Sequence, residues 1–189
     1  MLIEKKHFLP KEEFDSTFGQ LRDNTNFPWY YSKNTAYTAS EDDQSLWDFS
    51  FSNVLYIDGI PSNFAGQESA KLLEKICQSE NFKLKEILRI RAGLITKTPI
   101  QNIHMAHVDF TTPHYTALFY LTTCDAPTII YNQVYPNDII LTEMARVTSE
   151  ENKVVIFDGL RYHASTTQTD KKQRIVINFN FTIEENANS

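Results

Sequence analysis

From about Pro10 to Asp23 the chain places Phe14, Phe18 and Leu21 at i, i+4 and i+7, with Glu12 and Glu13 ahead of them. That spacing predicts a short amphipathic helix with its acidic residues at the positive end of the dipole. A second helix is predicted from Ser62, as N-cap, to about Ser79, burying Leu72, Leu73, Ile76 and Cys77. Between the two helices, Phe27 to Tyr31 and Leu46 to Ile57 read as aromatic strands bounded by polar turns. After Phe82 short β-rich runs take over. Leu84 to Leu94, Thr116 to Thr122, Thr128 to Tyr131, Ile139 to Val147, Val154 to Phe157 and Arg174 to Ile183 are the predicted strands. Helices first and then many short strands predict a mainly β (α+β) protein with an antiparallel sandwich or barrel core.

No repeat or Gly/Ser/Pro-rich linker interrupts these 189 residues, so a single domain is expected: supporting elements over about 1–83 and a β core over about 84–183. The 13 Phe and 9 Tyr suit a β-rich core and exclude a disordered chain. Cys77 and Cys124, each in an apolar stretch, make neither a disulfide framework nor a zinc site. The N-terminal segment shows no apolar core of signal-peptide length, and no stretch approaches the roughly 20 apolar residues of a membrane span. A cytoplasmic protein without a membrane partner is expected. The formal charge of −6 disfavours duplex nucleic acid. A basic strip of Lys83, Lys85, Arg89, Arg91 and Lys97 reads as a solvated strand face. The pattern carries no signal of oligomeric state.

Of five histidines, one lies in an H-x-D tripeptide, His107-Val108-Asp109. In extended chain the imidazole and carboxylate project to the same side and can share one metal. His163 offers a third ligand, because the apolar run Val154 to Phe157 enters an Asp-Gly turn and presents the histidine just beyond it. Two imidazoles and one carboxylate on one face leave three octahedral positions open, an arrangement suited to non-haem Fe(II). Arg174 opens the final strand, and its planar fork can grip a carboxylate with two parallel hydrogen bonds. If Arg174 points inward, Val176 and Asn178 share its face, and Asn178 becomes a polar pocket residue or a structural hydrogen-bonder.

These residues resemble, in order, the 2-oxoglutarate/Fe(II) oxygenase superfamily, in particular its prolyl-4-hydroxylase-like branch. Ile87 to Gly93 is similar to the strand before the iron site, followed by His107 to Phe110. Ala117 to Thr122 is similar to the next core strand, Val155 to Asp158 precedes the distal His163, and Arg174 takes the oxoglutarate-anchoring place. The resemblance spans roughly 84–183. It implies a double-stranded β-helix (jelly roll) with Fe(II) on His107, Asp109 and His163. It also implies 2-oxoglutarate as co-substrate, with dioxygen as oxidant and ascorbate as supporting reductant. Where relatives often carry a tyrosine three residues before the glycine, this chain has Ile90, which moves the expected co-substrate contact to Tyr120. The turn that often follows the core strand is replaced by Asp125-Ala126-Pro127-Thr128. The implied activity is hydroxylation of an unidentified small molecule or protein side chain. The rival reading is a cupin-like metal-binding barrel without oxoacid chemistry.

Among the other histidines, His104 reads as a residue behind the metal or on the substrate side, with helical i, i+3 pairing to His107 as the alternative. His7 and His114 read as surface residues. Phe27, Trp29, Tyr30, Tyr31, Trp47 and Phe49 pack as core or line a cleft. Arg161 and Tyr162 orient the distal histidine or the substrate, or serve only as flanking loop.

Overall fold

The computed structural model describes residues 1–23, 26–35, 46–137 and 140–184. The amphipathic N-terminal segment forms helix α1 (Lys11–Asp23) and the second predicted helix forms α2 (Phe64–Ser79). The N-cap of α2 is Asn63 rather than Ser62: the Asn63 side chain accepts a hydrogen bond from the Gly66 amide at 3.0 Å.

The strands are β1 (Leu2–Lys5), β2 (Tyr30–Ser32), β3 (Ser50–Ile57), β4 (Ile60–Pro61), β5 (Leu84–Thr96), β6 (Tyr115–Tyr120), β7 (Cys124–Val134), β8 (Glu143–Ser149), β9 (Lys153–Asp158), β10 (Arg161–Ala164) and β11 (Gln173–Ile183). Among the described residues, the larger sheet has eight strands in the order β1-β9-β6-β11-β5-β3-β2, with β4 on β3; the smaller has three, β10-β7-β8. The pairings between these strands are antiparallel. This is the jelly-roll core. β1 was not foreseen from sequence, and β3 begins at Ser50, four residues after the predicted Leu46. β8 runs Glu143–Ser149, and the predicted start at Ile139 lies outside the described residues.

Period-2 alternation decides which residues reach the site. On β11, Ile175, Ile177, Phe179 and Phe181 face the helices and join Phe14, Phe18, Leu72, Leu73 and Ile76 in one apolar core. Phe119 receives the edges of Phe14 and Phe18 at 5.8 and 5.4 Å, which locks α1 to the sheet. The other face of the large sheet meets the small sheet through Leu118, Tyr120, Val155, Phe157 and Val176 against Ile130 and Val147. Between the two sheets, beside this smaller core, Arg174, Asn178 and Asn180 of β11 project. No helix among the described residues is long and apolar enough to cross a membrane.

The aromatic group divides. Phe27 and Trp29 pack edge to face at 4.9 Å against the helical core, whereas Tyr30 and Tyr31 on β2 are exposed.

Candidate metal centre and adjoining cavity

His163 lies on β10, in the small sheet, and the chain crosses from β9 to β10 at Asp158-Gly159. The Asp158 carboxylate accepts from the Leu160 amide at 3.0 Å, an Asx turn that tightens the crossing. Only glycine fits at 159, because a Cβ there would stand 2.2 Å from Nε2 of His114. His107 is held opposite His163 by reciprocal backbone bonds: the His107 amide donates to the His163 carbonyl at 3.0 Å, and the His163 amide donates back at 2.9 Å. Such a bridge sets the two side chains on one side of the ladder, and the ring centroids are 4.7 Å apart.

Each ring places Nδ1 against a nearby backbone carbonyl, Met105 at 3.1 Å for His107 and Arg161 at 3.2 Å for His163. An Nδ1–H donated there leaves the Nε2 lone pair free for a cation. Oδ2 of Asp109 lies 3.6 Å from Nε2 of His163, and the candidate ligand atoms of His107, Asp109 and His163 all fall within 4.8 Å of one another. The three sequence-predicted ligands therefore converge on one point with donors of the type that Fe(II) accepts.

Asp109 is held by more partners than a lone ligand needs. Arg89 donates to Oδ1 at 2.6 Å, while Asn178 and Asn180 donate to Oδ2 at 2.9 and 3.0 Å. Burial alone would raise its carboxyl, but the neighbouring His163, His107 and Arg89 and the Asn178 bond outweigh it and hold the group well below the usual carboxylate range. Burial, reinforced by His107 and opposed by Asp109, pulls His163 down to about 4. At neutral pH the cluster is thus an ionised carboxylate beside a neutral imidazole, the state a metal ligand set requires.

A cavity of about 110 Å³ runs from this cluster to Arg174, walled by Leu94, Ile95, Leu118, Thr128 and Val176. Arg174 is 4% exposed and donates from Nη2 to Thr128 Oγ1 at 2.7 Å. Its Nε is buried with no hydrogen-bond partner. An unsatisfied buried guanidinium N–H facing such a cavity is the donor set a carboxylate fills. Tyr120 stands behind this fork: its hydroxyl donates to Thr128 Oγ1 at 2.8 Å and its ring lies 5.6 Å from the Arg174 Cζ. Tyr120 thus supports the anchor through Thr128 and does not line the cavity; Asp125–Thr128 belongs to strand β7 rather than to a turn, and Thr128 supplies the wall hydroxyl.

Sequence reasoning missed three residues at this site. Asn180 continues the Arg174, Val176, Asn178 alternation by one step and is fully buried. Arg89 faces it across the β5–β11 pair, as Arg91 faces Asn178. The solvated-strip reading is therefore corrected for Arg89 and Arg91, which point into the site, while Lys85 and Lys97 stay exposed. His114 is also corrected: it is buried beneath Phe110 and Gly159, not a surface histidine. His104 is buried in a loop with Nδ1 2.8 Å from the Ser165 hydroxyl, one layer behind the cavity wall. Ile90 faces the helical core, so the position expected to hold a tyrosine contact does not face the site at all.

Solved structures share this architecture. An oxidoreductase of the 2OG-Fe(II) oxygenase family from Burkholderia pseudomallei superposes with a TM-score of 0.65 at 8% identity, covering 96% of this chain and 85% of that one. A Pseudomonas putida prolyl-4-hydroxylase gives 0.58 at 13% identity, covering 96% and 92%. HygX from Streptomyces hygroscopicus, solved with nickel and 2-oxoglutarate bound, gives 0.58 at 11% identity, covering 96% and 82%. The fold is that of the 2OG-Fe(II) oxygenases. No family model and no curated protein matches the sequence.

Proposed function

We propose that this chain is an Fe(II)- and 2-oxoglutarate-dependent oxygenase that hydroxylates a small molecule or a protein side chain. The observation that carries the reading is the convergence of His107, Asp109 and His163 at one end of a cavity whose other end is the buried Arg174, its Nε without a hydrogen-bond partner. His107, Asp109 and His163 hold the iron, and Arg174 with Thr128 grips the distal carboxylate of 2-oxoglutarate.

When bound, iron and 2-oxoglutarate supply the oxidising power, coupling oxidative decarboxylation to succinate with oxidation of a C–H bond. The chain's own residues fix geometry and exclude water. The backbone bridge between His107 and His163 sets the angle between the two imidazoles. Arg89, Asn178 and Asn180 keep Asp109 ionised and oriented. Leu118, Val176 and Ile95 present a dry wall to the co-substrate chain. The rival reading, a metal-binding barrel without oxoacid chemistry, leaves the buried Nε–H of Arg174 without a partner.

Incubation with Fe(II), ascorbate and air, with 2-oxoglutarate labelled at its C1 carboxylate, tests the reading by released carbon dioxide. Slow release that Arg174→Ala abolishes is the expected result. Release equal in wild type and variant would contradict the assignment of Arg174, and metal-independent release would contradict the whole reading.

A further inference from the structure

A second guanidinium reaches the same site from the opposite side. Arg91 lines the 110 Å³ cavity and also a larger neighbouring one of about 420 Å³, walled by Ser32, Lys33, Asn34, Arg89 and Val108; Thr35, His107 and Asp109 are shared by both. Arg91 thus stands at the junction through which a second molecule meets the metal cluster. Among the described residues it makes no hydrogen bond or ion pair. Burial, reinforced by Arg89 and opposed by Asp109, pushes its guanidinium below the ordinary value. Arg91 is half-buried, and a partly desolvated guanidinium without a hydrogen-bonded carboxylate favours an anionic ligand.

Charge balance shows that the first ligands do not provide it. Asp109 is the single carboxylate on the two cavity walls among the described residues, and Arg89 already pairs with it at 2.6 Å. With a divalent ion and dianionic 2-oxoglutarate in place, Asp109 and Arg174 bring that end to neutrality, so Arg89, Arg91 and Lys33 leave the outer cavity cationic. The acidic whole-molecule charge of −6 makes this cationic mouth a local feature rather than part of a general basic surface.

We infer that Arg91 is the specificity residue for the prime substrate, and that the substrate carries a carboxylate that seats on Arg91 in the outer cavity with its reacting carbon toward the metal cluster. The inference rests on the oxygenase reading above. Of the two guanidinium forks on the outer cavity, Arg89's is held by Asp109 and Asn180, so Arg91 offers the open one, which fits a carboxylate bound bidentately. It also tells carboxylic acids from their amides, because an amide returns no charge to the half-buried cation.

The test uses protein loaded without oxygen with Mn(II) and 2-oxoglutarate, titrated calorimetrically with a panel of amino acids, hydroxy acids and aryl acetic acids and with the primary amide of each. At least one acid is expected to bind at least about tenfold more tightly than its amide. Arg91→Gln is expected to erase that preference while 2-oxoglutarate affinity stays unchanged, and Arg91→Lys, which keeps the charge but not the fork, to restore part of it. Amides binding as well as acids, Arg91→Gln binding acids as the wild type does, or no acid binding to loaded protein would each overturn the proposal. A loss of 2-oxoglutarate affinity in Arg91→Gln that matches the loss of acid binding would overturn it too, assigning Arg91 to the co-substrate. The wild-type acid-to-amide ratio stands by itself should a variant fail to fold. Failure of Mn(II) or 2-oxoglutarate to load, read first in the same cell, would instead defeat the oxygenase reading and this inference with it.

Discussion

Replacing Asn180 with alanine tests whether the carboxylate ligand depends on residues that never touch the metal. Asn180 is fully buried and joins three groups: it donates to Asp109 Oδ2 at 3.0 Å and to Thr116 Oγ1 at 3.2 Å, and accepts from Arg89 at 3.2 Å. Truncation removes one of two amide donors on Oδ2 and leaves the other two groups short of a partner. Removing a hydrogen-bonded support of a ligand typically weakens metal affinity about 10–100-fold, or about 1.4–2.7 kcal/mol. The unsatisfied Thr116 and Arg89 groups cost the metal-free fold about 1–3 kcal/mol more. At about 2–4 °C per kcal/mol the melting temperature falls by several degrees. Anaerobic titration with Fe(II), paired with thermal unfolding in chelator, separates the two effects. A folded Asn180→Ala protein that binds metal as tightly as the wild type would refute the claim that this network sets Asp109.

Other perturbations have equally definite outcomes. Gly159→Ala forces a methyl into the His114 ring and shifts the turn that carries His163, so it should cost about 1–3 kcal/mol in denaturant unfolding and weaken metal binding as well. Unchanged metal affinity there would show that the turn does not position the ligand. Phe119→Ala removes the ring between Phe14 and Phe18 and should destabilise by about 3–5 kcal/mol, leaving metal affinity intact wherever the variant folds. Without metal, stability should fall as the pH drops from about 6.5 toward 4: His163 stays neutral in the fold down to about 4 while the unfolded chain takes up its proton near 6.5. That group alone contributes about 2 kcal/mol of loss between pH 7 and pH 5. Urea unfolding in chelator should lose this component in His163→Gln; an identical pH slope in the variant would contradict it.

Much of the site was legible because strand periodicity is strict. The alternation that turns Ile175, Ile177 and Phe179 toward the helices turns Arg174, Asn178 and Asn180 the other way, so once Arg174 faces inward the shared face of Asn178 follows from spacing. Stopping the count at Asn178 is what missed Asn180. Arg89 and Arg91 were hidden for a different reason. Their inward orientation depends on β5 pairing with β11 in a register that sets Arg89 opposite Asn180, and register between strands about ninety residues apart is a tertiary fact. β1 was invisible for the same cause: Leu2–Lys5 is too short to show a period and forms a strand because β9 offers an edge. His114 read as surface because its loop is polar, whereas Gly159 gives its ring a socket.

The most direct measurement is anaerobic co-titration of Fe(II) and 2-oxoglutarate into wild type, His107→Ala, Asp109→Ala and His163→Ala. One Fe(II) per wild-type chain is expected, with tight 2-oxoglutarate binding only after the metal is in place and loss of both in each variant. Wild-type metal affinity in His107→Ala or His163→Ala, or 2-oxoglutarate binding that ignores the metal, would contradict the account.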